Sequence, residues 1–119
     1  MALLLCLETS TTNCSVSLVK DGITLSLRED NSKSYSHAER LHNFISDVLH
    51  EARVFKNELD AVAVSKGPGS YTGLRIGVSA AKGLCFALDL PLISVDTLHA
   101  FALQVNKDEG VIIPLLDAR

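Results

Sequence analysis

Asp21-Gly22 stands between two runs in which apolar and polar residues alternate, residues 14–19 and 23–27. That dipeptide tolerates the left-handed backbone of a two-residue hairpin turn, so the two runs must pair antiparallel. Residues 3–7 are continuously apolar, as a strand covered on both faces is, and they lie close enough to join the hairpin. Three antiparallel strands therefore open the chain. Beyond the third strand the rhythm changes. A polar stretch over 30–35 leads to Ser36-x-x-Glu39, a capping box in which each side chain satisfies a backbone donor, and a helix to about residue 53 is expected. Residues 61–64 and 92–95 read as strands, with a glycine-rich turn over 67–73 and a second helix towards residue 88 between them. Asp96 can cap a short helix through residue 105, and residues 111–116 read as a further strand after a loop over 106–110.

An antiparallel meander excludes an all-parallel sheet, while the later crossovers demand parallel neighbours. The expected fold class is α/β: a mixed five-stranded sheet with an antiparallel three-strand meander and helices on its faces. That order resembles the RNase H-like lobe of actin-like ATPases. A chain of 119 residues can bury one core but not two, which predicts a single lobe over residues 1–119. The chain stops directly after an apolar run, with no turn or polar tail, so truncation before a second lobe of the same kind is expected. No apolar run approaches the roughly 20 residues of a membrane-spanning helix. Residues 2–7 lack the basic start of a signal sequence and run straight into Glu8. A cytoplasmic location without membrane contact is expected. Cys6, Cys14 and Cys85 sit in apolar contexts without C-x-x-C spacing, which assigns them structural roles. The net charge of -3 argues against this lobe gripping a phosphate backbone unaided.

Chemistry could start at the turn between the first two strands, Glu8-Thr9-Ser10-Thr11-Thr12-Asn13. Two readings stand. A carboxylate beside hydroxyls and amides in a tight turn suits magnesium and phosphate, which makes Glu8, Thr9, Ser10 and Thr11 candidates for nucleotide binding. The same side chains can equally bond their own backbone. The segment Gly67-Pro68-Gly69-Ser70-Tyr71-Thr72-Gly73 is more specific, because it lies between a strand and a helix whose first N–H groups can receive an anion. No Lys-Ser or Lys-Thr follows Gly73, which excludes a Walker A loop. The strand before it is the fourth rather than the first of a βαβ unit, against a dinucleotide fingerprint.

His37-Ala38-Glu39-Arg40-Leu41-His42 misses the helical zinc motif, since its histidines are five residues apart and point roughly 140° away from each other round a helix. No metal site and no G-x-S-x-G nucleophile are expected. The second helix carries two apolar faces. Leu74, Val78, Ala81, Leu84, Cys85 and Leu88 suit packing on the sheet, while Ile76, Ala80, Gly83 and Ala87 form a small-residue face. A helix apolar on two sides must be covered twice, either by the first helix or by another subunit.

The run GPGSYTGLRIGVSAAKGL at 67–84 resembles the characteristic segment of the TsaB (YeaZ) family. LETSTTNCSVSLV at 7–19 is similar to that family's first hairpin, and SHAERL at 36–41 to its first helix start. Glu8 stands where many such relatives carry aspartate. The resemblance implies a non-catalytic assembly subunit that supports TsaD in threonylcarbamoyladenosine modification of transfer RNA, with the ATPase TsaE joining them. Transfer RNA would be met only through the complex. It also implies a helix bundle with the partner, which would engage His37, Leu41 and Phe44 of the first helix. From the second helix it would take Ile76, Ala80, Gly83, Phe86 and Ala87. A homodimer through the same helices is a further expectation, and ATP or ADP at a site shared with the partner is the one cofactor left open. The alternative is an actin-like ATPase or small-molecule kinase missing its second lobe.

Overall fold

The computed structural model describes residues 2–31 and 37–103. Strands β1 (Leu3–Glu8), β2 (Cys14–Lys20) and β3 (Ile23–Asp30) form the meander. Helix α1 (His37–Glu51) and a 3-10 turn (Lys56–Glu58) lead to β4 (Ala61–Gly67). Helix α2 (Tyr71–Leu88), β5 (Leu92–Asp96) and α3 (Thr97–Ala102) follow among the described residues. Ser36 of the expected capping box and the strand expected at 111–116 lie outside the described residues.

The five strands lie in the order β3-β2-β1-β4-β5. β1/β2 and β2/β3 pair antiparallel, whereas β1/β4 and β4/β5 pair parallel. Asp21 and Gly22 take φ of 51° and 81°, the two left-handed positions that a tight hairpin of this twist requires. One irregularity lies just past the turn: Leu18 opposes Ser26 and Val19 opposes Thr24, which leaves Leu25 as an extra residue in β3.

The core lies under α1 and α2, which share one face of the sheet. Leu3, Leu5 and Leu7 meet Cys14, Val16 and Leu18, with Val62 and Val64 alongside and Leu41, Ile45, Val48 and Leu49 of α1 above. Strand residues two apart point to one face, which is why the odd positions of β1 are all buried. Burial of each large side chain here contributes about 1.5–3 kcal/mol. The other face is more open than the continuous apolar run of β1 suggested: Leu4 and Cys6 are half-buried, and Leu25, Leu27 and Ile93 are exposed.

The buried line of α2 keeps Ala81 and Cys85 of the expected stripe and continues through Gly73 and Gly77, while Leu74, Val78, Leu84 and Leu88 flank it half-buried. Small residues four apart let the helix axis approach the sheet, and the longer side chains spread to either side. Ser70 caps the start by accepting from the Gly73 amide at 3.2 Å, and left-handed Asp89 ends it. Asp96 caps α3 as expected, with Oδ1 accepting from the His99 amide at 2.9 Å.

Candidate functional site

Two places gather the candidate residues. The first lies where β1 and β4 end. Their parallel register sets Glu8 beside Ser65. Glu8 Oε2 accepts from the Ser65 hydroxyl, and Oε1 accepts from the Ser10 hydroxyl and, at 2.9 Å, the Ser10 amide. The hairpin then turns inward against the glycine-rich segment. Thr9 Oγ1 donates to the Gly73 carbonyl at 2.6 Å, and the Ser70 amide donates to the Ser10 carbonyl at 2.7 Å. Thr11 and Thr12 stay exposed, with Thr12 Oγ1 donating to Asn31 Oδ1 at 2.7 Å.

The glycines serve this contact. A Cβ on Gly69 would lie 2.6 Å from the Ser10 carbonyl oxygen, one on Gly73 would overlap the Thr9 carbonyl oxygen, and one on Gly77 would overlap Thr9 Oγ1. Pro68 and Tyr71 stay outside the contact, and the Arg75 guanidinium covers the exposed Tyr71 ring at 5.5 Å from its centroid. Thr72 is exposed as well. A phosphate at this helix end would need free amides and room. Here the Ser70 and Gly73 amides are taken by the Ser10 carbonyl and the Ser70 hydroxyl, and hairpin backbone fills the space. Those two amides, and the space beside Gly69 and Gly73, therefore serve the hairpin. Among the described residues no three of His, Cys, Asp or Glu gather around a point where a metal could sit. Burial pushes the thiols of Cys6, Cys14 and Cys85 up from 9.0, which holds them protonated at neutral pH.

Arg40 and His37 brace the hairpin from α1. Buried Arg40 donates through Nη1 to the Asp30 carbonyl at 2.7 Å and through Nη2 to the Thr12 carbonyl at 3.3 Å. The same Nη2 stands 3.3 Å from His37 Nδ1. Burial pushes the His37 imidazole below its ordinary 6.5; a hydrogen bond to the Thr11 backbone opposes this, and the Arg40 charge adds to it. That direction sets the sign of the pH effect. With the folded value depressed, the unfolded chain takes the proton first, so the stability is whole above about pH 6.5 and is lost as pH falls through the folded value. The melting temperature is expected to drop between about pH 7.5 and about pH 5, and to drop less in His37→Gln. Equal drops in the two chains would remove His37 as a cause.

The second place is a groove of about 570 Å³ between α1 and α2. Its apolar lining is Leu41, Ile45, Ile76, Ala80, Gly83 and Leu84, and its polar lining is His42, Ser46, Lys56 and Ser79. Of the residues expected at an interface, Ile76, Ala80 and Gly83 stand here. Leu41 also lines it, yet is fully buried as a core residue of α1 and offers only floor. Phe44 is half-buried against the core, and His37 lies by the hairpin, away from the groove lining. Ala87 and Phe86 are exposed on α2, Phe86 by 92%. Sequence reasoning missed Lys56, which the chain brings in from the 3-10 turn, and Ser65, whose pairing with Glu8 needs the β1/β4 register. It also missed the seat of Thr9, although glycines at positions 73 and 77 mark one helix face cleared for close approach.

The family model described as TsaD, tRNA N6-adenosine threonylcarbamoyltransferase, matches residues 31–119. The tRNA threonylcarbamoyladenosine biosynthesis protein TsaB of Haemophilus influenzae is 37% identical over 119 residues, which cover 98% of this chain and 49% of that protein. YeaZ from Pseudomonas aeruginosa superposes with a TM-score of 0.79 at 40% identity, over 87% of this chain and 47% of that one. RuvC of T. thermophilus, at 15% identity and a TM-score of 0.56 over 82% of this chain and 66% of its own, shares the RNase H-like fold alone. The chain spans about half the length of the curated relatives it matches.

Proposed function

This chain belongs to the TsaB (YeaZ) family and carries a TsaD-type domain, and from that membership we propose that it is an assembly subunit without catalysis of its own. It supports a TsaD-type enzyme in the threonylcarbamoyladenosine modification of transfer RNA, in the cytoplasm, with TsaE as a third component and the RNA met only through the complex. One observation carries the reading: the glycine-rich turn is closed over its own hairpin, while the groove between α1 and α2 lies open. The partner docks on that groove and on the exposed ridge of Gly83, Phe86 and Ala87. Ile76 and Ala80 form its wall, and the small residues admit a second pair of helices at close range. Large aromatic side chains such as Phe86 are the usual energetic anchors of such a face. No helix among the described residues is long and apolar enough to cross a membrane.

A homodimer through the same helices is the second reading. Its support is charge: α1 exposes Asp47, whereas α2 exposes Arg75 and Lys82. Two copies related by a twofold axis can oppose these signs.

Ala80→Arg tests the docking face. A long cation in the groove wall blocks close approach and is left unpaired in the interface, which costs at least about 2 kcal/mol, or roughly thirtyfold in Kd. The variant should melt with the parent, because position 80 borders open space and the arginine stem can extend into water. Binding to a TsaD-type protein and the sedimentation of the chain alone are the measurements. Parental affinity in Ala80→Arg would sink the assigned face, and a dimer lost alongside the partner would identify one surface for both.

A further inference from the structure

The turn between β1 and β2 is fastened to α2 at several points. Thr9 is 1% exposed, and its Oγ1 both bonds the Gly73 carbonyl and occupies the space a methyl on Gly77 would need. The Ser10 carbonyl accepts from the Ser70 amide immediately before the helix. Ser10 is itself held by Glu8, whose other oxygen accepts from Ser65 of β4. A continuous line of bonds thus runs from the end of β4, through the turn, to the first two turns of α2. From Ile76 onward the same helix forms one wall of the groove through Ile76, Ser79, Ala80 and Gly83.

A helix moves as a stiff rod over this distance, so the seating of its first turns fixes the tilt of the wall beyond them. Ala81 and Cys85 hold the far half of the helix on the sheet, which leaves the seat of the near half to this turn. Gly73 and Gly77 have no side chains, so the packing of this end against the turn depends on what fills the gap between them, and Thr9 fills it. We infer that Thr9 is a positioning residue that sets how α2 lies on the sheet, and through it the width of the groove between α1 and α2. The groove's role in docking is the reading proposed above, and regulation of that docking by the seat of Thr9 rests on it. A contact that shifts the Glu8–Ser10 turn, such as a partner side chain at the sheet end, then changes the groove without touching it.

The test compares Thr9→Val, which keeps the shape and loses the donor, with Thr9→Ser, which keeps the donor. Nitroxide labels on non-natural side chains at exposed Asn43 and Lys82 report the separation of the two helices, amide exchange reports α2, and titration with a TsaD-type protein reports docking. Thr9→Val should broaden the label distances, speed exchange over residues 73–80 roughly fivefold to tenfold and weaken docking by a similar factor, the expected consequence of losing one buried hydrogen bond. The β2/β3 ladder should exchange as in the parent, and Thr9→Ser should restore all three readouts. Parental label distances in Thr9→Val would overturn the proposal. Changed distances with unchanged docking would overturn the link to the groove. If the valine chain does not fold, displaced helices in Thr9→Ser despite its hydroxyl would overturn it as well. A parent chain that fails to bind TsaD would instead remove the docking reading, and the label distances would still decide the role of Thr9.

Discussion

Gly73→Ala is expected to cost the fold at least about 3 kcal/mol, near the upper end of what overpacking does to a core. The new methyl group meets the Thr9 carbonyl oxygen, which is backbone and cannot rotate away. Either α2 lifts from the end of β1 or the turn is driven out, and both open the buried contact at Thr9. Gly77→Ala meets the Thr9 hydroxyl instead. A side chain can swing aside, so the expected loss is smaller, about 1–3 kcal/mol. Gly83 supplies the control on the same helix. Nothing lies within 4 Å of a Cβ there, and the position is exposed, so Gly83→Ala should stabilise the chain by about 0.5–1 kcal/mol through helix propensity alone. Denaturant midpoints of the three variants are the measurement. Gly73→Ala unfolding at the parental midpoint would show that the close approach at the Thr9 carbonyl does not hold in solution.

Arg40→Met should be the other severe variant, with an expected loss of about 2–3 kcal/mol. The guanidinium is 7% exposed and ties three parts of the chain together: the end of β3 through the Asp30 carbonyl, the hairpin through the Thr12 carbonyl, and its own helix through His37. An ion pair to the Asp30 carboxylate at 3.8 Å adds to this, discounted because that side chain is 35% exposed. Methionine fills much of the volume yet leaves the carbonyls without their donors. Arg40→Lys keeps the charge but cannot span two carbonyls at once, so its stability should fall between parent and methionine. Thermal melts in that order would support the bridge, and a methionine chain as stable as the parent would dismiss it.

Much of the architecture could be read from local signals. Asp21-Gly22 announces its turn because the left-handed geometry has few solutions, and the alternation of β2 fixes which face is buried. Asp96 caps the helix it precedes for an equally local reason. The buried line of α2 was less legible. Apolar weight points to Ala81 and Cys85 correctly but also to Leu74, Val78 and Leu84, whereas the line is completed by Gly73 and Gly77, whose missing side chains let the hairpin approach. The site shows the same limit. Glu8 and the glycine-rich turn stand out as polar and permissive segments in the sequence, but the hydroxyl that joins them sits 64 residues from the carbonyl it bonds. Only the β1/β4 register brings the two together. The groove is likewise a product of two helices and a 3-10 turn, of which the sequence marks one face of one helix.

The extra residue in β3 bears on how the chain behaves in a crowded solution. Among the described residues β3 lies at the edge of the sheet with Ile23, Leu25 and Leu27 all exposed, a pattern that would invite a strand from another molecule to add to the sheet and begin aggregation. The bulge at Leu25 interrupts the row of amides and carbonyls near the turn end of that edge. An incoming strand can match the ladder on one side of the break or on the other, but not on both, and Arg28, Glu29 and Asp30 set charges on the longer remaining part. Solubility of the exposed edge is therefore written into one added residue beside the turn, where it costs the core nothing.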